Sequence, residues 1–406
     1  MPHLRTALSC LRLLALALPL ASLSACASPP APETLFVATA LTAPHAFTKG
    51  IEGPAVDADG NIYAVNYARQ QTIGKVTPGG QGEVFLTLPG ASIANGIRFG
   101  SRGQMYLADY IEHTIYVVEP GTRAVTLHAR DARMTQPNDI AITQDDVLYA
   151  SDPNWKENTG RVWRIAPDGA VTLALDTMGT ANGIEVSPDG KTLYVNESVQ
   201  RNIWAYTIEA DGTLSGKRLL KSFDDFGMDG MRVDVDGNLY VTRYGKGTVV
   251  KLSPEGAVLR EIMVPGAKPS NISFGGPDGR TAYVTEVVQG RLLQFRVDRP
   301  GLEWQRGQER KAHNPTTVLA AVVVSASKIT QRQMPGSDPQ GPTPVLAPGV
   351  NADSRAPLSS GQTTQKTPPA YPGNRGTPPC GSCPCRSSLP SDGPGRRRYA
   401  TMMPGG

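Results

Sequence analysis

The chain has 406 residues, 39% of them hydrophobic and 19% charged, with a formal net charge of +4. That length accommodates a large core or two domains, and the small, well-mixed charge, with no basic stripe interleaved with aromatics, speaks against a nucleic-acid partner. Gly (43) and Pro (35) are abundant, as in chains with many tight turns or with a segment that builds no core, and both descriptions apply to different regions.

In chain order, MPHLRTALSCLRLLALALPLASLSACASPPAP comes first. Arg5 and Arg12 lead into a short apolar run, Leu13 to Leu20, too short to span a bilayer as a mature helix. The run ends at Leu23-Ser24-Ala25-Cys26, which resembles the bacterial lipobox, where the Cys is diacylated and becomes the mature N-terminus. The plainer alternative is a cleaved signal peptide with an incidental Cys. The resemblance implies a signal over 1–25, lipidation at Cys26 and a Pro-rich tether over 26–32. Ser28, where an Asp would retain the protein at the inner membrane, implies an outer-membrane lipoprotein on the periplasmic face of the bacterial cell envelope. Three lipid chains anchor a protein to a membrane without a transmembrane helix. The alternative places it secreted in the periplasm.

No Cys occurs between 27 and 379, so the core owes nothing to disulfides or thiolate metal sites. Cys380, Cys383 and Cys385 cluster in PPCGSCPCRSS, where incidental thiols are favoured over a zinc site because no fourth ligand is close in sequence.

The central region repeats. EGPAVDADGNIY (52–63), NGIRFGSRGQMY (95–106), NDIAITQDDVLY (138–149), NGIEVSPDGKTLY (182–194), DGMRVDVDGNLY (229–240) and NISFGGPDGRTAY (271–283) begin 43, 43, 44, 47 and 42 positions apart. Each unit opens with a short alternating strand, passes a Gly- or Asp-rich turn and enters a second strand; further strand patterns follow, as in GTVVKLSPEG. Four short strands in roughly 44 residues make a propeller blade. The sequence therefore predicts an all-β chain, a six-bladed β-propeller over 33–299. TLFVATAL (34–41) is placed to complete the blade begun near Asn271 and so close the ring.

After GRLLQFRVDRPGLEWQ the pattern stops, leaving an unassigned closing segment over 300–333 in which TTVLAAVVVSA (316–326) suits a short helix or strand. Residues 334–406 are rich in Pro and Gly and poor in large apolar residues, too poor to offset ordering entropy. They are expected to be a disordered tail, or the product of a reading frame translated out of register.

In a propeller the innermost strands all start near the central channel at one end. The first residues of the units, Glu52, Asn95, Asn138, Asn182, Asp229 and either Ser270 or Asn271, should therefore converge, and every one carries a side-chain oxygen. Turn chemistry accounts for each Asn or Asp singly, but not for Glu52 in the same frame. Two carboxylates among carboxamides around one axis repel unless a cation joins them. Oxygen donors without His or Cys suit one hard divalent cation, Ca²⁺ before Mg²⁺, Mn²⁺ or Zn²⁺.

At these residues the chain resembles the family of senescence marker protein (regucalcin), gluconolactonase and luciferin-regenerating enzyme. QPNDIAITQDDVLYASDP, ANGIEVSPDGKTLYVNES, MDGMRVDVDGNLYVTRYGKGTVVKLSPEG and GAKPSNISFGGPDGRTAYVTE carry the resemblance, which covers about 50–300. It implies a six-bladed propeller with one catalytic divalent metal held by Glu52, Asn138, Asn182 and Asp229, and a hydrolase acting on a lactone or related ester. On that reading Asp229 is the catalytic base, and Asn95, Gln136 and Asp152 contact substrate. Sugar-lactone members often carry Arg where Gln136 stands, so a charged contact to substrate hydroxyls is missing here. Asp152 equally suits a turn before Pro153. The competing class is a non-catalytic, metal-stabilised binding propeller at the cell envelope.

Overall fold

Each repeat unit opens the innermost strand of a four-stranded antiparallel sheet in the computed structural model, which describes residues 33–313. The signal and tether (1–32), the stretch at 316–326 and the tail (334–406) lie outside the described residues. The inner strands are Ala55–Val56, Ala94–Phe99, Ile140–Ile142, Ala181–Val186, Met231–Val233 and Pro269–Gly275. In the first five sheets the remaining strands follow in chain order, each pairing with the one before. The sixth adds Thr281–Glu286 and Arg291–Arg296 and is then completed from the other end of the domain, Thr39 pairing with Gln294 and Ala40 with Leu293. The ring thus closes where TLFVATAL was expected to close it. The closing strand is only Thr39–Ala40, lengthened by single hydrogen bonds from Phe36 N to Arg296 O (2.8 Å) and Leu41 N to Leu292 O (2.9 Å).

In four blades the turn between the first two strands is built by the residue five positions after the unit's start. Asp57 Oδ1 accepts from the amides of Asp59 (3.0 Å) and Asn61 (2.8 Å), and Asp234 Oδ1 accepts from those of Asp236 (3.0 Å) and Asn238 (2.9 Å). Thr143 and Ser187 do the same with hydroxyls. These side chains mimic a backbone turn and fix the register of the hairpin.

The core lies between blades rather than within them. Among the described residues the buried apolar side chains fall into six clusters, each shared by two neighbouring blades. Ile115 and Tyr106 of the second blade meet Ile140, Leu148 and Trp163 of the third. Phe47, Ile51 and Ile62 of the first blade meet Tyr283 and Leu292 of the sixth. Because both faces of a blade are covered, its middle strands are buried on both sides, as in Leu239–Arg243 and Thr248–Leu252.

Helix α1 (Leu302–His313) was not anticipated, because LEWQRGQERKAH has no apolar stripe. It is fixed by docking instead. Leu302 enters the core between the fourth and fifth blades, burial worth about 2 kcal/mol. Glu303 in the first turn suits the positive end of the helix dipole. Arg306 Nη1 reaches Ile142 O (3.2 Å), and Lys311 Nζ reaches Asp59 Oδ1 (2.8 Å). The helix therefore covers the end of the channel where inner strands finish, opposite the end where they start. No helix among the described residues is long and apolar enough to cross a membrane.

Candidate active site

The first residues of the units are brought together by the backbone. The amide of the second residue of one unit donates to the carbonyl of the first residue of the next: Gly96 to Asn138 (2.8 Å), Gly183 to Asp229 (3.2 Å) and Gly230 to Ser270 (2.7 Å). This pattern resolves the frame of the sixth unit. Its first residue is Ser270; Asn271 stands in the second position. Glycine at that second position permits the approach. A Cβ on Gly183 would lie 2.3 Å from Asp229 O, and one on Gly230 would lie 1.9 Å from Asn271 Cγ.

Glu52, Asn138, Asn182 and Asp229 are all buried at this end of the channel. Asn182 Nδ2 donates to Asp229 Oδ1 (2.8 Å) and to Ser198 Oγ (3.0 Å), which leaves Asn182 Oδ1 buried without a donor. Asn138 Oδ1 accepts from Asn95 Nδ2 at 2.9 Å. Glu52 Oε2 accepts from the Gly53 amide at 2.9 Å. Burial, then the Asp229 and Asp139 carboxylates, push the Glu52 carboxyl well above its ordinary range. Asn196, which the sequence reading did not single out, donates from Nδ2 to Asp229 O (2.6 Å) and likewise leaves Oδ1 buried without a donor. Its only signal was its place in the second strand of a blade, opposite an inner strand.

These donors fit a hard cation. The Glu52 carboxyl is raised by the neighbouring Asp229 charge, and the buried Asn182 carboxamide oxygen has no donor, so a cation between them would meet both. No three His, Cys, Asp or Glu side chains come together as a metal-binding cluster among the described residues. What the channel offers is mixed carboxylate and carboxamide oxygen, the donor type that suits Ca²⁺ and limits the charge count.

The three residues assigned to substrate divide. Asn95 is partly exposed beside Asn138, and the Gln136 side chain is also partly exposed. Asp152 is buried and engaged: it accepts from the amides of Thr135 (2.9 Å) and Gln136 and from Trp163 Nε1 (2.8 Å). Its carboxylate holds the loop that carries Gln136 and Asn138. Burial, then the Asp229 and Glu52 charges, raise the Tyr244 phenol. The Tyr110 phenol, pushed up to about 12, is raised by burial and by Asp109 alone.

A second layer went unread in the sequence. Three positions after each unit's start stand Ala55, Arg98, Ala141, Glu185, Arg232 and Ser273, all buried. Arg98 and Arg232 bracket Asp139 (Nη1–Oδ1 3.3 Å and Nη1–Oδ2 3.1 Å), and both reach Glu303 of α1 through Nε (2.9 Å and 3.4 Å). Glu185 lies 3.8 Å from Arg98 and 3.9 Å from Arg232, and lines a cavity of about 390 Å³ between α1 and the blades. The channel is thus a stack, with the oxygen-rich mouth, then Asp139 and Asn271, then the arginine layer closed by α1.

Comparison with known proteins agrees with the architecture. Residues 43–288 match the SMP-30/Gluconolactonase/LRE-like region family. Gluconolactonase of Zymomonas mobilis is 29% identical over 283 residues, covering 60% of this chain and 79% of that protein. 6-Deoxy-6-sulfogluconolactonase of Pseudomonas putida is 32% identical over 147 residues, 35% of this chain and 50% of that one, so the chain spans about half the length of that relative. Regucalcin of Agrobacterium tumefaciens, a calcium-binding protein, shares the fold with a TM-score of 0.57 at 22% identity, over 66% of this chain and 98% of its own. With more than half of its length matched, this chain belongs to the SMP-30/gluconolactonase/LRE-like family.

Proposed function

We propose that the chain is a divalent-cation-dependent hydrolase that opens a lactone, with the cation held by Glu52, Asn138, Asn182 and Asp229. The observation that carries this is the Asn182–Asp229 hydrogen bond of 2.8 Å, which leaves the Asn182 carbonyl oxygen stranded beside two buried carboxylates. Relatives named gluconolactonase and 6-deoxy-6-sulfogluconolactonase support a lactone as the substrate class. A cation such as Ca²⁺ held by these residues would supply Lewis acidity towards an ester carbonyl.

The protein's own groups do the rest. Asn182 Nδ2 fixes the Asp229 carboxylate in one orientation, and Asp229 takes the proton of the attacking water as general base and returns it to the ring oxygen as the acyl C–O bond breaks. Asn95 and Gln136 offer neutral donors to the substrate's polar edge. Asp152 sets the position of the Gln136 loop through its backbone amides. Strip the full chain of metal, add back Ca²⁺, Mg²⁺, Mn²⁺ or Zn²⁺, and follow hydrolysis of a lactone panel beside Asp229→Ala. The hydrolase reading requires turnover that depends on the ion and disappears in the variant.

Gln136, neutral where sugar-lactone members carry Arg, favours a second reading: a binding propeller pinned by its cation, without turnover. In that case the ion raises the melting temperature and no lactone is opened. Attachment to the bacterial outer membrane through Cys26 is a further proposal, supported by Leu23-Ser24-Ala25-Cys26 alone. Radiolabelled palmitate should enter the wild-type chain and not Cys26→Ala.

A further inference from the structure

Three residues before Asp229, the chain does something costly. Phe226 has a φ of 37° and leaves 49% of its side-chain-bearing surface in water. A bulky aromatic in the left-handed region is strained by about 1–2 kcal/mol, and its exposure forgoes burial. The segment is nevertheless not loose. Arg201 Nη1 donates to Asp224 O (2.9 Å), Arg243 Nη2 donates to Asp225 O and Oδ1 (both 2.6 Å) and to Phe226 O (3.4 Å), and Ser198 Oγ donates to Met228 O (2.6 Å). Arg243 itself is buried, with its guanidinium 3.7 Å from the Phe223 ring centroid. A buried arginine therefore holds a strained turn whose product is one outward-facing phenyl ring. That ring lies beside Gly245, where a Cβ would come within 3.2 Å of its Cδ1, and Tyr244, the residue before it, has its phenol raised by burial and then by the Asp229 and Glu52 charges. Strain held by surrounding structure is characteristic of functional positions.

Other exposed apolar side chains stand at this end, interleaved with charged ones. The loops between second and third strands follow residues paired with the starts of the inner strands, such as Asp109 with Ala94, Glu197 with Ala181 and Glu286 with Pro269. They set Ile111, Val199 and Val288 at the same end of the propeller, each 36–42% exposed. Below them stand the neutral, partly exposed side chains of Asn95 and Gln136.

We infer that the substrate is a lactone bearing an apolar substituent and that Phe226 receives that substituent at the channel mouth. The inference rests on the hydrolase reading above and names its substrate class. The chemistry stays at Asp229, and the phenyl ring contributes binding, so its loss falls mainly on KM.

The test compares γ-butyrolactone, γ-nonalactone and glucono-δ-lactone as substrates of the full chain with a divalent cation, for wild type, Phe226→Asn and Phe226→Leu. Asn tolerates positive φ, so the first variant relaxes the turn while removing the apolar wall. The nonalactone-to-butyrolactone ratio of kcat/KM should exceed 1 in wild type, fall about tenfold in Phe226→Asn and survive in Phe226→Leu. Hydrolysis with no gain from the alkyl chain, or a ratio unchanged in Phe226→Asn, overturns this inference and leaves the hydrolase standing. Hydrolysis of no lactone by wild type overturns both.

Discussion

Arg232 Nη1 lies 3.1 Å from Asp139 Oδ2, a fully buried pair formed across 93 positions of sequence. Asp139 takes its second arginine from Arg98, and Asn271 Nδ2 approaches at 3.4 Å. This pair stands between the oxygen-rich mouth and the helix that closes the far end.

Breaking it by one partner strands a charge. Arg232→Met should lower stability by about 3 kcal/mol or more, because the carboxylates of Asp139 and Glu303 lose a buried counterion. Urea unfolding followed by circular dichroism measures this. A loss below about 1 kcal/mol would mean that the pair contributes no more than a surface salt bridge.

Glu185 should make the fold sensitive to pH. Asp139 and Glu303 already balance Arg98 and Arg232; Arg306, Glu309 and Arg310 line the same cavity. Burial, the first cause, outweighs the Arg98 and Arg232 contributions, and Glu303 adds to it, so the Glu185 carboxyl rises from its usual 4.5 to about 7. A folded-state value above the unfolded one means the folded chain holds the extra proton between those limits. Its stabilisation is complete below about 4.5 and is lost as pH rises through about 7, by about 3 kcal/mol at 1.4 kcal/mol per unit. Unfolding free energies at pH 5 and pH 7.5 should therefore differ less in Glu185→Gln than in wild type. Parallel profiles would place the proton elsewhere.

Gly183→Ala tests how tightly the mouth is assembled. The new Cβ would meet Asp229 O, a backbone atom, at 2.3 Å, and the Asn196 Nδ2 that is hydrogen-bonded to it at 2.5 Å. Asp229 must shift, so cation affinity and turnover should fall at least about tenfold, since small misplacements of reacting groups are expensive. Affinity equal to wild type in a folded variant would contradict the placement of Asp229.

Gly307→Ala points the other way. Gly307 lies inside α1, and a Cβ there meets only Arg310 Nη2 at 3.5 Å and Ala58 Cα at 3.9 Å. The variant should be more stable by about 0.5–1 kcal/mol. A lower melting temperature would show that α1 docks more tightly against Ala58 than these distances allow.

The blades were legible because four of them signal themselves twice, through an alternating first strand and through the acceptor that closes the turn, as at Asp57 and Asp234, and the other two share their spacing. The ring of first residues was legible for the same reason: a fixed frame puts Glu52 and Asp229 at equivalent places. The second layer was not. In NGIRF, NGIEV and DGMRV the residues Arg98, Glu185 and Arg232 alternate with apolar neighbours, the pattern of a strand with one face in water. Only six strands converging on an axis remove that water, and no single unit carries that fact. The Ser270 frame was open because an extra turn residue obscures the count, and the amide of Gly230 settles it. Helix α1 was missed because its hold on the propeller lies in charged and long polar side chains, which leave no periodic signature.

The most direct test is calorimetric titration of Ca²⁺ into the metal-free full chain, beside Asn182→Ala and the double variant Glu52→Gln/Asp229→Asn. The account predicts one site per chain, weakened at least about tenfold when the stranded carboxamide oxygen is removed and lost when both carboxylates are neutralised. Binding that is unchanged in the double variant, or no binding of Ca²⁺, Mg²⁺, Mn²⁺ or Zn²⁺ by wild type, would contradict a cation site at the channel mouth.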